Sequence, residues 1–231
     1  MTNKQFPKDF ILGTALASYQ VEGGIYNNDW THWENKDSSV CAEPCNEACK
    51  HYEFYKEDEN LLDELGIRAY RFSIEWSRVE PHQGQYDQNE INHYVDKAKL
   101  LLEKNITPII TFHHFTTPDW LMDDGLWASE KTTTAFVNYV DVMMQHLPKE
   151  IEIYNTINEP GIFSMFGYLS KKKFPPGIQN EKVFVKASQN IIEAHKQSMK
   201  KIKEHKNMVD NLRRGDQVLT QGGIILSLIH I

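Results

Sequence analysis

The stretch whose residue types most clearly indicate a reactive site is residues 151–160, which read IEIYNTINEP. Apolar and polar side chains alternate through most of it, and this period of two predicts a β-strand. The run ends in Asn158, Glu159 and Pro160, and proline both stops a strand and favours extended geometry in the residue before it. A carboxylate that can act as general acid or base therefore arrives at the end of a predicted buried strand together with an amide. Strict alternation places the two side chains on opposite faces, so the strand must twist or bulge if both face one pocket.

A second predicted strand with side chains that could belong to a reactive site covers residues 67–76, IRAYRFSIEW. Its bulky side chains share one face, whereas Arg71, Ser73 and Glu75 share the other. We predict that the bulky face packs on helices and that the polar face lines the interior of the sheet. A guanidinium in that interior needs a carboxylate partner, so a buried salt bridge with Arg71 is the structural alternative to a catalytic role for Glu159.

Two histidines follow a third predicted strand, residues 106–112. The side chains of His113 and His114 should point in opposite directions, so only one of them can face a pocket, and the pattern does not decide which. A first strand is predicted over residues 10–21, with Gln20 near its carboxyl end.

Helices are predicted between these strands from apolar residues at helical spacing. They cover residues 51–65, 89–103 and 129–147, and a further helix is capped by Asn180. Four successive strand–helix units predict an α/β fold with a parallel sheet, either open or closed into a barrel. No G-x-G-x-x-G or G-x4-G-K-[ST] motif follows a strand, so a nucleotide-binding fold has no support. The predicted inward face of the first of these helices consists of Phe54, Leu61, Leu62 and Leu65.

The composition is that of an ordinary globular protein, with 40% hydrophobic and 25% charged residues in a chain of 231. A net charge of −7 argues against nucleic acid or an anionic membrane surface as a partner. No apolar run reaches the roughly 18 residues of a membrane span, and the first residues lack a signal-peptide pattern. We therefore expect a cytoplasmic protein that binds a small molecule, and the oligomeric state stays open.

The three cysteines, Cys41, Cys45 and Cys49, follow a C-x3-C-x3-C spacing in a predicted loop over residues 25–50. An iron–sulfur or zinc site is one interpretation, but Pro44 breaks any helical face and zinc needs a fourth ligand. We favour three reduced thiols with no metal and no cofactor, since an odd number of cysteines fits a reducing compartment.

The end of the chain has neither strand nor helix periodicity. We predict one domain over residues 1–206 and an irregular tail over residues 207–231. The last six residues, LSLIHI, match the translation of a common sequencing adapter, and a short apolar strand is the alternative interpretation.

Four stretches together resemble glycoside hydrolase family 1, the β-glucosidase and β-galactosidase group. The resemblance covers about residues 6–165 in the order and spacing of the family. It implies a (β/α)8 barrel, of which this chain holds about the first four strand–helix units, and retaining hydrolysis of β-glycosides. The four stretches are FPKDFILGTALASYQVEG, HYEFYKEDENLLDELGIRAYRFSIEWSRVEP, ITPIITFHHFTTPDWL and TINEP.

The resemblance also implies roles for single residues. Glu159 is the implied general acid/base, and Asn158 is the implied partner of the sugar 2-hydroxyl. Gln20 and His114 are implied to bond hydroxyls of the non-reducing sugar. Arg71 is implied to lie against the nucleophile carboxylate.

Three departures from the family pattern bear on these roles. Phe115, an expected substrate-binding residue, stands where many members have tryptophan, which weakens the expected stacking on the sugar. The sequence Gly125-Leu126-Trp127 replaces a common G-G-W. The family's nucleophile is a later glutamate near T-E-N-G, and that motif is absent from these residues.

A retaining glycosidase needs two carboxyl groups about 5–5.5 Å apart, so we expect this chain alone to be inactive. The acid must keep its proton near neutral pH, and burial of Glu159 near a second carboxylate would favour this. Four strands also leave two open sheet edges, which predicts marginal solubility.

Other functions stay open at this point. The whole protein could be a 6-phospho-β-glycosidase or another barrel β-glycanase, although the Gln20 motif and the histidine pair disfavour the latter. It could also be a sugar-binding relative without catalytic activity.

Overall fold

A parallel sheet forms the centre of the molecule, which we describe from a computed structural model. Its four strands pair in the order β1-β2-β3-β4, each parallel to the next. The carboxyl ends of these strands therefore meet at one edge, and the predicted α/β class with sequential parallel strands is confirmed. The strands are β1 (Gly13–Ala15), β2 (Ala69–Ser73), β3 (Thr107–His113) and β4 (Ile153–Ile157). The structure describes residues 7, 10–36, 40–170, 174–207, 217–220 and 224–227.

Helices connect the strands and cover one face of the sheet. Two of the predicted caps are present, since the Ser129 hydroxyl accepts from the Lys131 amide at 3.3 Å and the Asn180 side chain accepts from the Lys182 amide at 3.0 Å. Among the described residues, no helix has the length and apolar character that crossing a membrane requires. The α-helices are α1 (Ser18–Val21), α2 (Asp29–Glu34), α3 (His51–Glu64), α4 (Trp76–Val79), α5 (Gln88–Glu103), α6 (Glu130–His146), α7 (Pro160–Ser164) and α8 (Glu181–Asn207).

The two faces of β2 differ as the sequence predicts. Its bulky side chains are almost fully buried in the core between sheet and helices, and Trp76 stacks on Tyr139 of α6 with ring centroids 5.3 Å apart. Burial of each such side chain contributes about 1.5–3 kcal/mol relative to exposure. On the opposite face Ser73 and Glu75 are also buried, and Arg71 is half-buried.

The first predicted strand, residues 10–21, is wrong in its second half. Strand β1 has only three residues, and Gln20 lies on the short helix α1. The Ser18 amide donates to the side-chain hydroxyl of Ser73 at 2.7 Å instead of to a backbone carbonyl. This side chain of β2 ends the strand pairing, and the chain turns into a helix there.

The predicted inward face of α3 is wrong as well. Three of its four residues are exposed, and the most buried positions of α3 are His51 and Glu59, which face the buried Lys97 of α5. Hydrophobic periodicity cannot detect a helix that packs through polar groups. The three exposed residues are Phe54, Leu61 and Leu65.

Two described segments of the tail are strands. Strands β5 (Gln217–Thr220) and β6 (Ile224–Ser227) pair antiparallel with each other. Residues 228–231, which hold most of the adapter-like sequence, lie outside the described residues.

Candidate active site

Arg71 and Asn158 meet at the carboxyl edge of the sheet. The Arg71 Nη1 donates to the Asn158 Oδ1 at 3.2 Å and so reaches past β3, which lies between their strands. Asn158 is buried, and its backbone amide donates to the His113 carbonyl at 2.8 Å. Asn158 is therefore held through its side chain by Arg71 of β2 and through its backbone by His113 of β3.

Glu159 has left-handed backbone geometry, with φ 44° and ψ 56°. The extended geometry expected before proline is wrong here, because Pro160 opens α7 and the chain must turn from strand to helix at Glu159. Such a conformation costs a non-glycine residue about 1–3 kcal/mol and tends to occur at functional sites. It breaks the strand alternation, which is the irregularity that Asn158 and Glu159 need if both are to face one pocket.

The electrostatics of Arg71 place Glu159 on the same side as Asn158. Burial lowers the pKa of Arg71, and the negative charge of Glu159 opposes that shift. Glu159 itself is exposed in this chain. Because the expected second carboxylate is absent from these residues, the expected burial of Glu159 stays a prediction.

The two histidines occupy different environments. His113 is buried against the rings of Trp127 and Phe163, 5.1 and 5.0 Å away, and its Nε2 lies 3.2 Å from the Thr117 hydroxyl. Burial lowers the pKa of His113 to about 3, so it is a neutral core residue. The alternation of side chains along a strand predicts this difference, because it points His113 and His114 in opposite directions.

His114 is the histidine that faces the rim. It is half-buried, and burial together with the charge of Arg71 lowers its pKa to about 4. Its Nδ1 is buried and has no hydrogen-bond partner within the described part of the chain. Because of its lowered pKa the imidazole is neutral near pH 7, and the expected role of His114 in bonding a hydroxyl group of a sugar stays a prediction.

Phe115 packs mainly against other aromatic rings. Its ring stacks on Phe163 at 6.2 Å and meets Phe174 edge-on at 5.1 Å. Its φ of 74° turns the chain sharply after His114. The expected role of Phe115 in stacking on a substrate stays a prediction.

Gln20 lies on the same edge of the sheet, exposed on α1. Its helix follows β1, whose Ala15 pairs with Arg71 in the sheet register. The contacts and charges described so far join Arg71, Asn158, Glu159 and His114 into one group. Gln20 lies on the helix that follows the neighbouring strand β1.

Sequence reasoning assigned no role to two buried carboxylates beneath this edge. Asp29 starts α2 inside the predicted loop and accepts from the Thr117 amide at 2.8 Å, and burial raises its pKa. Asn28 caps the same helix by accepting from the Thr31 amide at 2.9 Å, a cap signal that the sequence did contain. The other carboxylate is Glu75, which was placed on the polar face of β2.

No group of three or more metal-ligating side chains occurs among the residues that the structure describes. The cysteines are free thiols, and the Cys45 thiol donates to the Tyr19 carbonyl at 2.8 Å.

The profile of the family described as Glycosyl hydrolase family 1 matches residues 2–215. Among curated proteins, Beta-glucosidase A of Acetivibrio thermocellus is 35% identical over 212 residues, which are 88% of this chain and 47% of that protein. The 6-phospho-beta-galactosidase of Staphylococcus epidermidis is 34% identical over 209 residues, 87% of this chain and 43% of that protein.

Solved structures match to the same extent. The family 1 β-glucosidase from Thermotoga maritima has a TM-score of 0.83 at 32% identity, over 87% of this chain and 47% of that one. The β-glycosidase from Pyrococcus horikoshii has a TM-score of 0.81 at 34% identity, over 87% and 46%. The chain thus spans about half the length of the relatives that it matches.

Proposed function

The chain belongs to glycosyl hydrolase family 1 and forms the amino-terminal half of that family's barrel, and from this membership we propose that the whole protein is a retaining β-glycosidase. Its substrates are β-glucosides or β-galactosides of small size. The observation that carries this proposal is the hydrogen bond between Arg71 and Asn158, with the charge of Glu159 beside it.

In this mechanism Glu159 protonates the leaving oxygen and then activates a water molecule. Arg71 lies close to Glu159 and offers a positive charge to a second carboxylate that attacks the anomeric carbon. Asn158 bonds the 2-hydroxyl, where hydrogen bonds strengthen in the transition state.

The remaining rim residues hold the non-reducing sugar. His114 contributes a neutral, half-buried imidazole, and Gln20 offers an exposed amide. Phe115 contributes the part of its ring that other aromatic groups leave uncovered. No step of this reaction uses a metal or a cofactor.

The test of the proposal is Glu159→Gln in the whole protein, assayed with p-nitrophenyl β-glucoside. Loss of a general acid/base lowers the rate by about 10²–10⁴-fold. The nearby Glu152→Gln is the matched control, since Glu152 is exposed before β4 and lies far along the strand from this edge. Equal activity of Glu159→Gln and the control would refute the role of Glu159.

We also propose that these 231 residues are inactive when produced alone, since the second carboxylate belongs to the other half of the barrel. Residues 1–206 are the barrel half in this proposal, and residues 207–231 are an appended tail. A β-glycosidase rate from the purified chain that Glu159→Gln abolishes would contradict it.

A 6-phospho-β-glycosidase is the second candidate, because 6-phospho-beta-galactosidases are among the relatives at 34% identity. Comparison of p-nitrophenyl β-galactoside with its 6-phosphate as substrates separates the two candidates. A preference for the phosphorylated sugar of more than tenfold would decide for the second.

We propose a cytoplasmic location on the evidence of the three free thiols. We propose that the protein has no nucleic-acid or membrane partner on the evidence of its negative charge. Thiol titration of the protein as isolated from its cells checks this. Quantitative oxidation of the cysteines would argue for an oxidising compartment.

A further inference from the structure

Glu75 is a fully buried carboxylate at the end of β2, and its bonds reach three segments of the chain. It accepts from the hydroxyl groups of Ser18 at 2.8 Å, Ser77 at 2.8 Å and Thr116 at 3.0 Å. Charge-assisted hydrogen bonds of this kind are stronger and shorter than neutral ones. The carboxylate therefore holds its three partners firmly.

Two of these partners lie next to residues of the proposed site. Ser18 is the first residue of α1, two positions before Gln20, and Thr116 follows His114 by two positions. Both hydroxyl groups bond the same oxygen of Glu75, Oε2. One atom therefore joins the segment that carries Gln20 to the segment that carries His114.

The two segments that Glu75 joins, α1 and the turn after β3, depend on side-chain hydrogen bonds for their position. Ser18 is also tied to Ser73, through its amide at 2.7 Å and through the two hydroxyl groups at 2.9 Å. The turn after β3 bends at Phe115, which has a positive φ, so it depends on side-chain bonds to keep its course. Neither α1, with four residues, nor this turn is long enough to be stable by itself.

We propose that Glu75 is a positioning residue that fixes Gln20 and His114 relative to each other and thereby sets how tightly the site holds the non-reducing sugar. This inference rests on the function proposed above. Glu75 touches no reacting atom. It acts through Ser18 on one side and through Thr116 on the other.

The first experiment compares Glu75→Gln with Glu80→Gln in the whole protein. Glu80 is a matched control, because it is also buried and accepts two hydrogen bonds, from the Trp76 indole and the Gly84 amide, both at 2.8 Å. The amide of Glu75→Gln points a donor at hydroxyl donors, so we expect kcat/KM for p-nitrophenyl β-glucoside to fall about tenfold. Glu80→Gln should stay within about twofold of wild type even if both variants melt earlier.

The second experiment tests the bond of Glu75 to Ser18 and its bond to Thr116 separately. Ser18→Ala removes the bond toward Gln20, and Thr116→Val removes the bond toward His114. If Glu75 acts through these two hydrogen bonds, Gln20→Ala should lower kcat/KM less in the Ser18→Ala background than in wild type. The effect of His114→Ala on kcat/KM should be the same in both backgrounds. Thr116→Val should show the reverse. Additivity in all four combinations would overturn the proposal, because a general loss of stability produces no such crossed pattern.

A third measurement keeps this inference separate from the proposed function. If the wild-type protein hydrolyses no β-glycoside, the function is wrong, and amide hydrogen exchange decides about Glu75. Exchange over residues 16–22 and 113–118 should be faster in Glu75→Gln than in Glu80→Gln and wild type. Equal protection of these two segments in the two variants would overturn the positioning role.

Discussion

Two clusters of charged and polar side chains lie on opposite sides of strand β2, and they differ in how their hydrogen-bonding groups are used. The rim cluster is at the carboxyl edge of the sheet. The helix-layer cluster is between α3 and α5. The rim cluster consists of Arg71, His114, Asn158 and Glu159, and the helix-layer cluster consists of His51, Asp58, Glu59 and Lys97.

In the helix-layer cluster three of the four groups bond one another, whereas neither oxygen of Glu59 has a hydrogen-bond partner within the described residues. The Lys97 ammonium donates to the His51 Nε2 at 2.6 Å, which requires the other ring nitrogen to carry the proton that is shared with Asp58. Lys97 is buried and lies 4.5 Å above the ring of Phe72. His51, Glu59 and Lys97 are buried between the two helices, and the Asp58 side chain is 45% exposed.

In the rim cluster the groups are only partly used. His114 has a nitrogen with no partner within the described residues, Glu159 is exposed, and Arg71 is half-buried. The comparison teaches that a concentration of charge does not by itself mark a functional site. The two clusters differ in how far their charged groups are open to solvent, since Arg71 is half-buried and Glu159 exposed whereas Lys97 and Glu59 are buried.

The largest effect should come from Arg71→Met in the rim cluster. It removes the positive charge beside Glu159 and leaves Asn158 without its donor, so kcat/KM should fall about 10²–10³-fold. Arg68→Met is the control, because Arg68 precedes the same strand and forms an exposed ion pair with Asp63. A loss of activity in Arg68→Met that matches the loss in Arg71→Met would show that the effect is not specific to the rim.

The next largest effect should come from Lys97→Met in the helix-layer cluster, and it should appear in stability. The change removes the 2.6 Å donor of His51 Nε2, which keeps only the Tyr70 hydroxyl at 3.4 Å, and it removes one of the two positive charges near Glu59, the other being Lys104. Removal of one partner from a buried charged group destabilises a protein by about 3 kcal/mol. Urea unfolding measures this, and kcat per folded molecule should stay unchanged.

Lys99→Met is the control for that experiment, because Lys99 lies on the exposed side of α5 and pairs with Asp96 at 3.6 Å. It should change the free energy of unfolding by less than about 0.5 kcal/mol. If Lys97→Met also stayed below that value, the helix-layer cluster would not be a source of stability.

The sequence predicts those parts of the molecule that depend on local pattern. The alternation in β2 and β4 placed Arg71, Asn158 and Glu159 correctly at one edge of the sheet, and the strand end at His113 separated the two histidines. These features follow from side-chain alternation and from the position of a proline, both of which can be read within about ten residues.

The parts that the sequence missed depend on contacts between distant residues. The end of β1 is decided by the bond of Ser18 to Ser73, 55 residues away. The orientation of α3 is decided by the bond of His51 to Lys97, 46 residues away. Glu159 was expected to be extended, but the start of α7 makes it left-handed. Such long-range polar contacts have no periodicity to detect.

The smallest effect concerns Glu59, and it should depend on pH. Burial raises the pKa of Glu59 above its ordinary value of 4.5, although the charge of Lys97 acts in the opposite direction. The folded protein therefore keeps a proton that the unfolded chain releases above about pH 4.5. Stability from this group is complete below that pH and is lost as the pH rises through the raised pKa. Glu59→Gln has no proton to release.

The free energy of unfolding of Glu59→Gln relative to wild type should therefore increase between pH 4.5 and pH 8, by about 1 kcal/mol or more, since one pKa unit corresponds to about 1.4 kcal/mol. Urea unfolding of both proteins at several pH values measures this, and the other titrating groups cancel in the difference. A difference that does not change with pH would mean that Glu59 is ionised and paired with Lys97. In that case the helix-layer cluster would be a buried ion pair, and its contrast with the rim would depend on solvent access alone.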